Sequence, residues 1–345
     1  MPPSPVLPPE WAPQSAVLLT WPHAGSDWAP LLTEVEPLYL ALAKTIANYQ
    51  GVVIACHNQA LRQRVVDLLA REKVPAERCT LYVTPSNDTW ARDHGPITVL
   101  EQGRPCLLDF RFNGWGGKFA AELDDAITAN LHQAGAFGTT PMESLPWILE
   151  GGSIEVDGLG TLLTTRSCLL TPTRNPDLDE AAVEAILRRW LGVERVLWLA
   201  NGQLAGDDTD GHIDTLARFC SPTTIAWQSC DDPHDPHYSP LQAMGKELAA
   251  LRQRNGRPYQ LLALPWPTPR YNEGRRLPAT YANFLIINDA VLVPTYADPA
   301  DEIALTVLAE AFPDRRIIGV PCLPLIQQNG SLHCITMQLP AGVVP

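Results

Sequence analysis

Ser153-Ile154-Glu155-Val156-Asp157, Gly158-Leu159-Gly160 and Thr161-Leu162-Leu163-Thr164-Thr165 follow one another without a break, and they read as two short strands joined by a glycine turn. Further on, Asp179-Glu180-Ala181-Ala182-Val183-Glu184-Ala185-Ile186-Leu187-Arg188-Arg189-Trp190 has acids in its first turn, bases in its last and Gly192 as a stop. That polarity compensates a helix dipole at both ends. Val193-Glu194-Arg195-Val196-Leu197-Trp198-Leu199 then reads as a closing strand. The unit is therefore a hairpin, a helix and a strand.

The same order recurs along the chain. One copy runs through Ile213 to Trp227, a helix from Leu241 to Arg254, and Tyr259 to Leu264. Another uses Phe284 to Val293, a helix from Asp301 to Phe312, and Arg316 to Val320. A fourth begins at Ile97 and passes through a helix near Leu123 to Gln133. The fifth is split between the termini: Cys334 to Gln338 supplies a strand, and Ala16 to Thr20, a helix from Leu31 to Tyr49, and Val52 to Ala55 complete it. A unit shared by both ends is how a closed ring of repeats joins itself, so the expectation is a single domain over residues 1–345. The competing reading is an ordinary mixed α/β protein with accidental regularity.

The bulk properties fit a soluble, globular protein. A chain of 345 residues that is 46% hydrophobic can bury a large core. A formal charge of -13 disfavours nucleic-acid phosphate as a partner and suits a cationic small molecule. No apolar run reaches the roughly 18 residues of a membrane span, and the Met1-Pro2-Pro3-Ser4-Pro5 start lacks the pattern of a leader, so the chain is expected in the cytoplasm and off the membrane. The 8 cysteines have irregular spacing and no CxxC pair, unlike a disulfide framework or a thiolate zinc site.

Four segments carry candidate chemistry. Cys334 follows Asn329-Gly330-Ser331-Leu332-His333, a flexible loop that would deliver a thiol at the start of a strand. His212 sits in Asp207-Asp208-Thr209-Asp210-Gly211-His212-Ile213-Asp214, and a strand beginning there would put His212 and Asp214 on one face. Asp93 belongs to Trp90-Ala91-Arg92-Asp93-His94-Gly95-Pro96, where Trp90 offers an aromatic face to a cation. Glu150 precedes Gly151-Gly152, which permit close backbone approach. All four fall just before, or at, the first strand of a unit, which in a ring would aim them at a common axis. The bland alternatives are a buried apolar thiol, a solvated acidic turn and a structural Arg-Asp turn.

In this order the segments resemble the guanidino-group-modifying enzymes, and specifically the agmatine deiminases with their bacterial peptidylarginine deiminase relatives. The resemblance spans nearly the whole chain: Pro9-Glu10-Trp11, Leu19-Thr20-Trp21-Pro22, W-A-R-D-x-G-P from Trp90, G-W-G-G at 114 to 117, L-E-G-G at 149 to 152, D-x-D-G-H-I-D at 208 to 214 and H-C-I-T at 333 to 336. It implies a five-bladed pseudo-symmetric α/β propeller with catalysis at its axis and no metal or organic cofactor. It also implies Cys334 as nucleophile, His212 as proton carrier, Glu150 as the acid that orients His212, and Asp93 and Asp214 as clamps on the guanidinium. Asp208 matches an acid near the distal amine of agmatine, whose conversion to N-carbamoylputrescine and ammonia would belong to putrescine biosynthesis and polyamine metabolism.

Two positions depart from the usual agmatine deiminase pattern: the nucleophile loop is commonly a run of glycines, and the residue after the clamping Asp is commonly Thr rather than His94. Both bear on pocket shape. Other guanidines (arginine, peptidyl-arginine, a methylated guanidine), an amidinotransferase and a cysteine amidase are the competing reactions, and a homodimer is left open. Paired aspartates argue against the amidase because they would repel an anionic tetrahedral intermediate. A non-enzymatic, metal-binding reading attaches to Asp231-Asp232-Pro233-His234-Asp235-Pro236-His237, whose two prolines fit a stiff surface loop better.

Overall fold

In the computed structural model, which describes residues 5–344, the helix read from Asp179 spans Glu180–Leu191. The Asp179 side chain accepts from the Ala182 N–H, and Gly192 ends the helix at φ 67°. A Cβ at Gly192 would come within 1.5 Å of the Pro5 carbonyl oxygen, so only glycine fits. The hairpin before it pairs Glu155–Val156 with Thr161–Thr165 antiparallel, and Arg195–Leu199 adds in parallel after the helix. A helical crossover is what a parallel pair requires.

Among the described residues five small sheets share this order, an antiparallel pair extended by a parallel strand, and none of them is closed. They fall in two compact units. The first comprises residues 12–151 and 333–344 and holds two of the sheets. In one of these Thr336–Pro340 pairs with Gln14–Thr20, which continues through Gly51–Cys56 to Cys79–Val83, so both ends of the chain share a sheet. The other joins Ile97–Glu101, Arg104–Arg111 and Met142–Ile148. Helix Leu32–Ala47 buries Val35, Leu38, Tyr39, Leu42 and Ile46, a stripe at helical spacing.

The second unit, residues 5–11 and 152–332, holds the other three sheets. These are the Glu155 hairpin sheet, Ala217–Ser221 with Thr224–Gln228 and Gln260–Leu264, and Leu285–Ile287 with Ala290–Thr295 and Arg316–Pro321. Helices Tyr238–Ala250 and Asp301–Ala311 make the crossovers of the last two.

Several boundaries differ from the sequence expectation. No strand starts at His212: Ile213–Thr215 is a single turn of 3₁₀ helix and the strand begins at Ala217. Cys334 likewise precedes its strand, which begins at Thr336. The sheet shared by the termini carries an extra helix, Gln59–Arg71, and an extra strand, Cys79–Val83. That helix buries only Val65 and Leu69, too narrow a stripe to stand out as a pattern. No helix among the described residues is long and apolar enough to cross a membrane.

The second unit is pinned by a buried cation. The Arg218 guanidinium bonds Glu10, at 2.7 Å, Glu155 and the Phe284 carbonyl at 2.6 Å, and lies 4.8 Å over the Phe284 ring. Burial works against this charge, but Glu10, Glu155 and then Asp214 outweigh it and hold Arg218 protonated. Glu10 also accepts from the Ile286 N–H at 2.7 Å, which accounts for the acid in the Pro9-Glu10-Trp11 motif. Arg218→Met is expected to cost about 3–5 kcal/mol, because it strands two carboxylates in an apolar setting. Denaturant midpoints would show it, and a loss under 1 kcal/mol would reduce the cluster to the status of a surface pair.

Candidate active site

In the first unit the Trp90 segment forms a one-turn helix, Ala91–His94, stopped by Gly95 and Pro96. Arg92 is its brace. The Arg92 N–H donates to the Cys334 carbonyl at 3.1 Å, and its guanidinium reaches the His333 carbonyl, Met337 Sδ and Gln338. Gly151 packs on the other side, where a Cβ would stand 2.3 Å from the Arg92 carbonyl oxygen. The main chains of Asp93, Glu150 and Cys334 thus converge on one arginine, and absence of a side chain at Gly151 is what allows it. All three residues are buried.

Asp93 is oriented by the Trp115 indole N–H, which donates to Oδ2 at 3.0 Å. Trp115 holds φ 56° and ψ 48°, a left-handed conformation that costs a non-glycine residue about 1–2 kcal/mol. Nothing in the G-W-G-G motif itself marks Trp115 for this task. The strain is offset by the bond to Asp93 and by edge contacts with Phe112 and Trp90 at 5.0 and 6.4 Å. A neutral donor fixes the carboxylate without adding a cation to compete for it. Trp90 is buried between Trp115 and Trp28, and the Trp28 indole is anchored on Asp88 at 2.7 Å.

In the second unit Asp208, His212 and Asp214 share one loop. The Asp207 carboxylate organises it, accepting from the Thr209 N–H and Oγ1 and from the Gly211 N–H. Thr209 Oγ1 in turn accepts from the His212 N–H at 3.0 Å, and the His212 carbonyl accepts from Thr215. Arg174 clamps the far side through Asp210 and the Thr209 carbonyl, each at 2.8 Å. His212 and Asp214 are both buried, placed by a turn rather than by strand alternation.

Two partners of this loop escaped the sequence reading. Asn283 Nδ2 donates to the Asp214 carbonyl at 3.3 Å and Thr280 Oγ1 to that of Thr215 at 2.8 Å. Both precede the first strand of the third sheet of this unit, the position the candidates occupy in theirs, and that recurrence was the available signal. Asn329, at φ 69°, donates through Nδ2 to Asp208 at 2.8 Å and accepts from Arg275 at 2.5 Å. A side chain here, instead of the glycine usual in the resembled family, brings a cation within one residue of Asp208. Arg275 lies on a hairpin, Tyr271–Asn272 with Arg275–Arg276, that the periodicity did not reveal.

No disulfide joins any of the eight cysteines, and all are buried. Burial pushes the thiols of Cys56 and Cys220 up to about 12 and that of Cys79 to about 11, so these stay protonated and inert at neutral pH. In the acidic loop considered for metal, Asp235 and His237 are turned inward and bonded to each other at 2.6 Å, and the other ring nitrogen of His237 accepts a backbone N–H. That geometry spends the ligand atoms of these two residues on the fold.

Comparison with known proteins points to one family. The model of the Porphyromonas-type peptidyl-arginine deiminase family matches residues 6–340. A solved structure from Porphyromonas gingivalis, described as a "Putative Arginine Deiminase", is 51% identical with a TM-score of 0.93, covering 99% of this chain and 100% of its own. An agmatine deiminase from C. jejuni, a cysteine-to-serine variant with substrate bound, is 40% identical with a TM-score of 0.90, covering 97% and 96%. The agmatine deiminase of Stutzerimonas stutzeri is 33% identical over 98% of this chain and 96% of its own.

Proposed function

This chain belongs to the Porphyromonas-type peptidyl-arginine deiminase family, an enzyme family acting on guanidino C–N bonds, and we propose that it hydrolyses a small guanidinium substrate, agmatine first, through a covalent intermediate on Cys334. In this reading the five sheets are blades of one catalytic body that acts on a cationic small molecule in the cytoplasm. Asp93 and Asp214 hold the planar cation by charge-assisted bonds. The Cys334 thiolate attacks the central carbon, and His212 protonates the departing nitrogen so that ammonia leaves a thiouronium. His212 then takes a proton from water, which attacks the same carbon, and the adduct collapses to a ureido product with return of the thiolate. Glu150 orients His212 by the logic of a triad. Thiolate and carboxylates supply all the charge the reaction requires.

The observation that carries the reading is Asp93, buried and oriented by a neutral indole on the same arginine-braced segment that holds Cys334. The C. jejuni relative, captured with substrate once a cysteine was replaced, supports a cysteine role of this kind. An arginine-directed alternative is favoured by the 51% identity with the Porphyromonas gingivalis protein and by Arg275 near Asp208. A carboxylate facing Asp208 alone at ~4–6 Å would meet about 3–4 kcal/mol of repulsion at an effective dielectric near 20 before screening, on the order of a few hundredfold in preference, and salt reduces it. Arg275 offsets part of that, so about tenfold for agmatine is the expected ratio.

The test is ammonia release across agmatine, arginine, a peptide-terminal arginine and a methylated guanidine. Asp208→Asn should raise KM for agmatine about tenfold and spare kcat, since the distal amine is held alike in ground and transition states. Preference for arginine or peptidyl-arginine in the wild type would overturn the agmatine assignment and leave the deiminase chemistry standing.

A further inference from the structure

The Asp231–His237 loop has no task in the chemistry above, yet it contains a histidine whose proton can be located. His237 is buried. Its Nε2 lies 2.8 Å from the backbone N–H of Ala205, a group that can only donate, so Nε2 carries the lone pair. The proton is then on Nδ1 and is donated to Asp235 Oδ1 at 2.6 Å. Asp235 is fixed in turn: the His237 N–H donates to Oδ1 at 2.9 Å, and Trp266 Nε1 and Arg276 each donate to Oδ2 at 3.1 Å. The Trp266 ring lies 5.0 Å from the imidazole.

What Ala205 leads into gives this bond its consequence. Gly206, at φ 89°, packs so closely that a Cβ would stand 2.3 Å from the Arg276 carbonyl oxygen. Asp207 follows, and its carboxylate holds Thr209 and Gly211, while Thr209 Oγ1 receives the His212 N–H. A run of hydrogen bonds therefore leads from Asp235 through His237 to Ala205 and, after the one constrained residue Gly206, from Asp207 through Thr209 to the main chain of His212.

We propose that Asp235 and His237 are a positioning pair for His212, with the neutral imidazole acceptor fixing Ala205 and, through it, the loop that presents His212. The inference rests on the reading of His212 as proton carrier. A histidine suits the task because Asp235 locks its tautomer and the ring holds the acceptor at a fixed angle. Pro233 and Pro236 stiffen the loop that carries the pair.

Full-length His237→Ala and His237→Gln proteins test this, with kcat and KM for ammonia release measured well below each variant's Tm. His237→Ala should lower kcat about tenfold or more, with a rise in KM beside it, because Asp208 and Asp214 ride on the same loop as His212. His237→Gln, which keeps a side-chain carbonyl acceptor, should recover a substantial part of that loss. An unchanged kcat beside a lowered Tm, or a rise in KM alone, would overturn the proposal and leave the pair a structural one. A second readout does not depend on turnover: the ring signals of His212 in a ¹⁵N-histidine spectrum, identified by their loss in His212→Gln, should move in His237→Ala and return towards wild type in His237→Gln. Unmoved His212 signals would overturn the proposal even if no guanidine released ammonia, an outcome that would by itself sink only the deiminase reading.

Discussion

Cys334→Ala is expected to lower ammonia release by at least about 10⁴-fold, the scale on which enzymes lose rate when a covalent nucleophile is deleted. The contact that seats this residue is made by its backbone, whose carbonyl accepts the Arg92 N–H, and alanine retains it. The variant therefore removes one sulfur from a pocket whose frame stands, and it should fold and bind substrate much as the wild type does. Cys56→Ala and Cys220→Ala serve as controls, since burial holds those thiols protonated at neutral pH and they have no nucleophilic part to lose. More than a few per cent of residual turnover in pure Cys334→Ala protein would end the covalent mechanism. Loss of activity together with loss of substrate binding would instead point to a disturbed fold, which a thermal melt would reveal.

The repeat was legible because its parts are set by local rules: a glycine turn at Gly158 and Gly160, an acid-to-base helix from Asp179, and a stop at Gly192. The shared sheet of the two termini followed from counting units, and the pairing of Gln14–Thr20 with Thr336–Pro340 bears it out. What stayed hidden depends on long-range partners. Arg218 reads as one charge on a strand until Glu10 and Glu155 close on it from residues far away in sequence. Trp115 reads as part of a glycine turn until its indole meets Asp93. A strand beginning at His212 would put His212 and Asp214 on one face, but the side-chain acceptors at Asp207 and Thr209 favour a turn, and local bonds of that kind compete with a ladder. The acidic loop at Asp231 showed metal-like spacing, and only the positions of Ala205 and Arg276 reveal where its ligand atoms point.

His94, which stands where the resembled family commonly has Thr, carries the largest expected effect of pH. Its side chain is buried, with Nε2 3.3 Å from Thr20 Oγ1, and burial holds its pKa down, from 6.5 to about 3. Between those values the unfolded chain binds a proton at this residue and the folded chain does not, so stability that is fully present above pH 6.5 is lost as pH falls towards 3. Each pH unit in that window costs about 1.4 kcal/mol, for a total on the order of 5 kcal/mol. His23, held below its ordinary value by burial and by His57, adds to the slope, and the raised carboxyl of Asp124, at about 7, opposes it. Comparison with His94→Gln isolates the one group, because the other terms are common to both proteins. The variant should be about 1–2 kcal/mol less stable at pH 7.5, where it has only lost packing, and should overtake the wild type near pH 5 as the wild-type penalty grows. Unfolding free energies at half-unit steps from pH 7.5 to 4 measure this directly, and parallel curves would mean that folded His94 takes up its proton at an ordinary pH. The effect reaches the site because the His94 carbonyl accepts from Thr128 Oγ1 at 3.1 Å and His94 ends the turn that holds Asp93. A proton forced onto this ring strains the turn at its last residue, so acid inactivation of the wild type should begin before global unfolding and should shift to lower pH in His94→Gln.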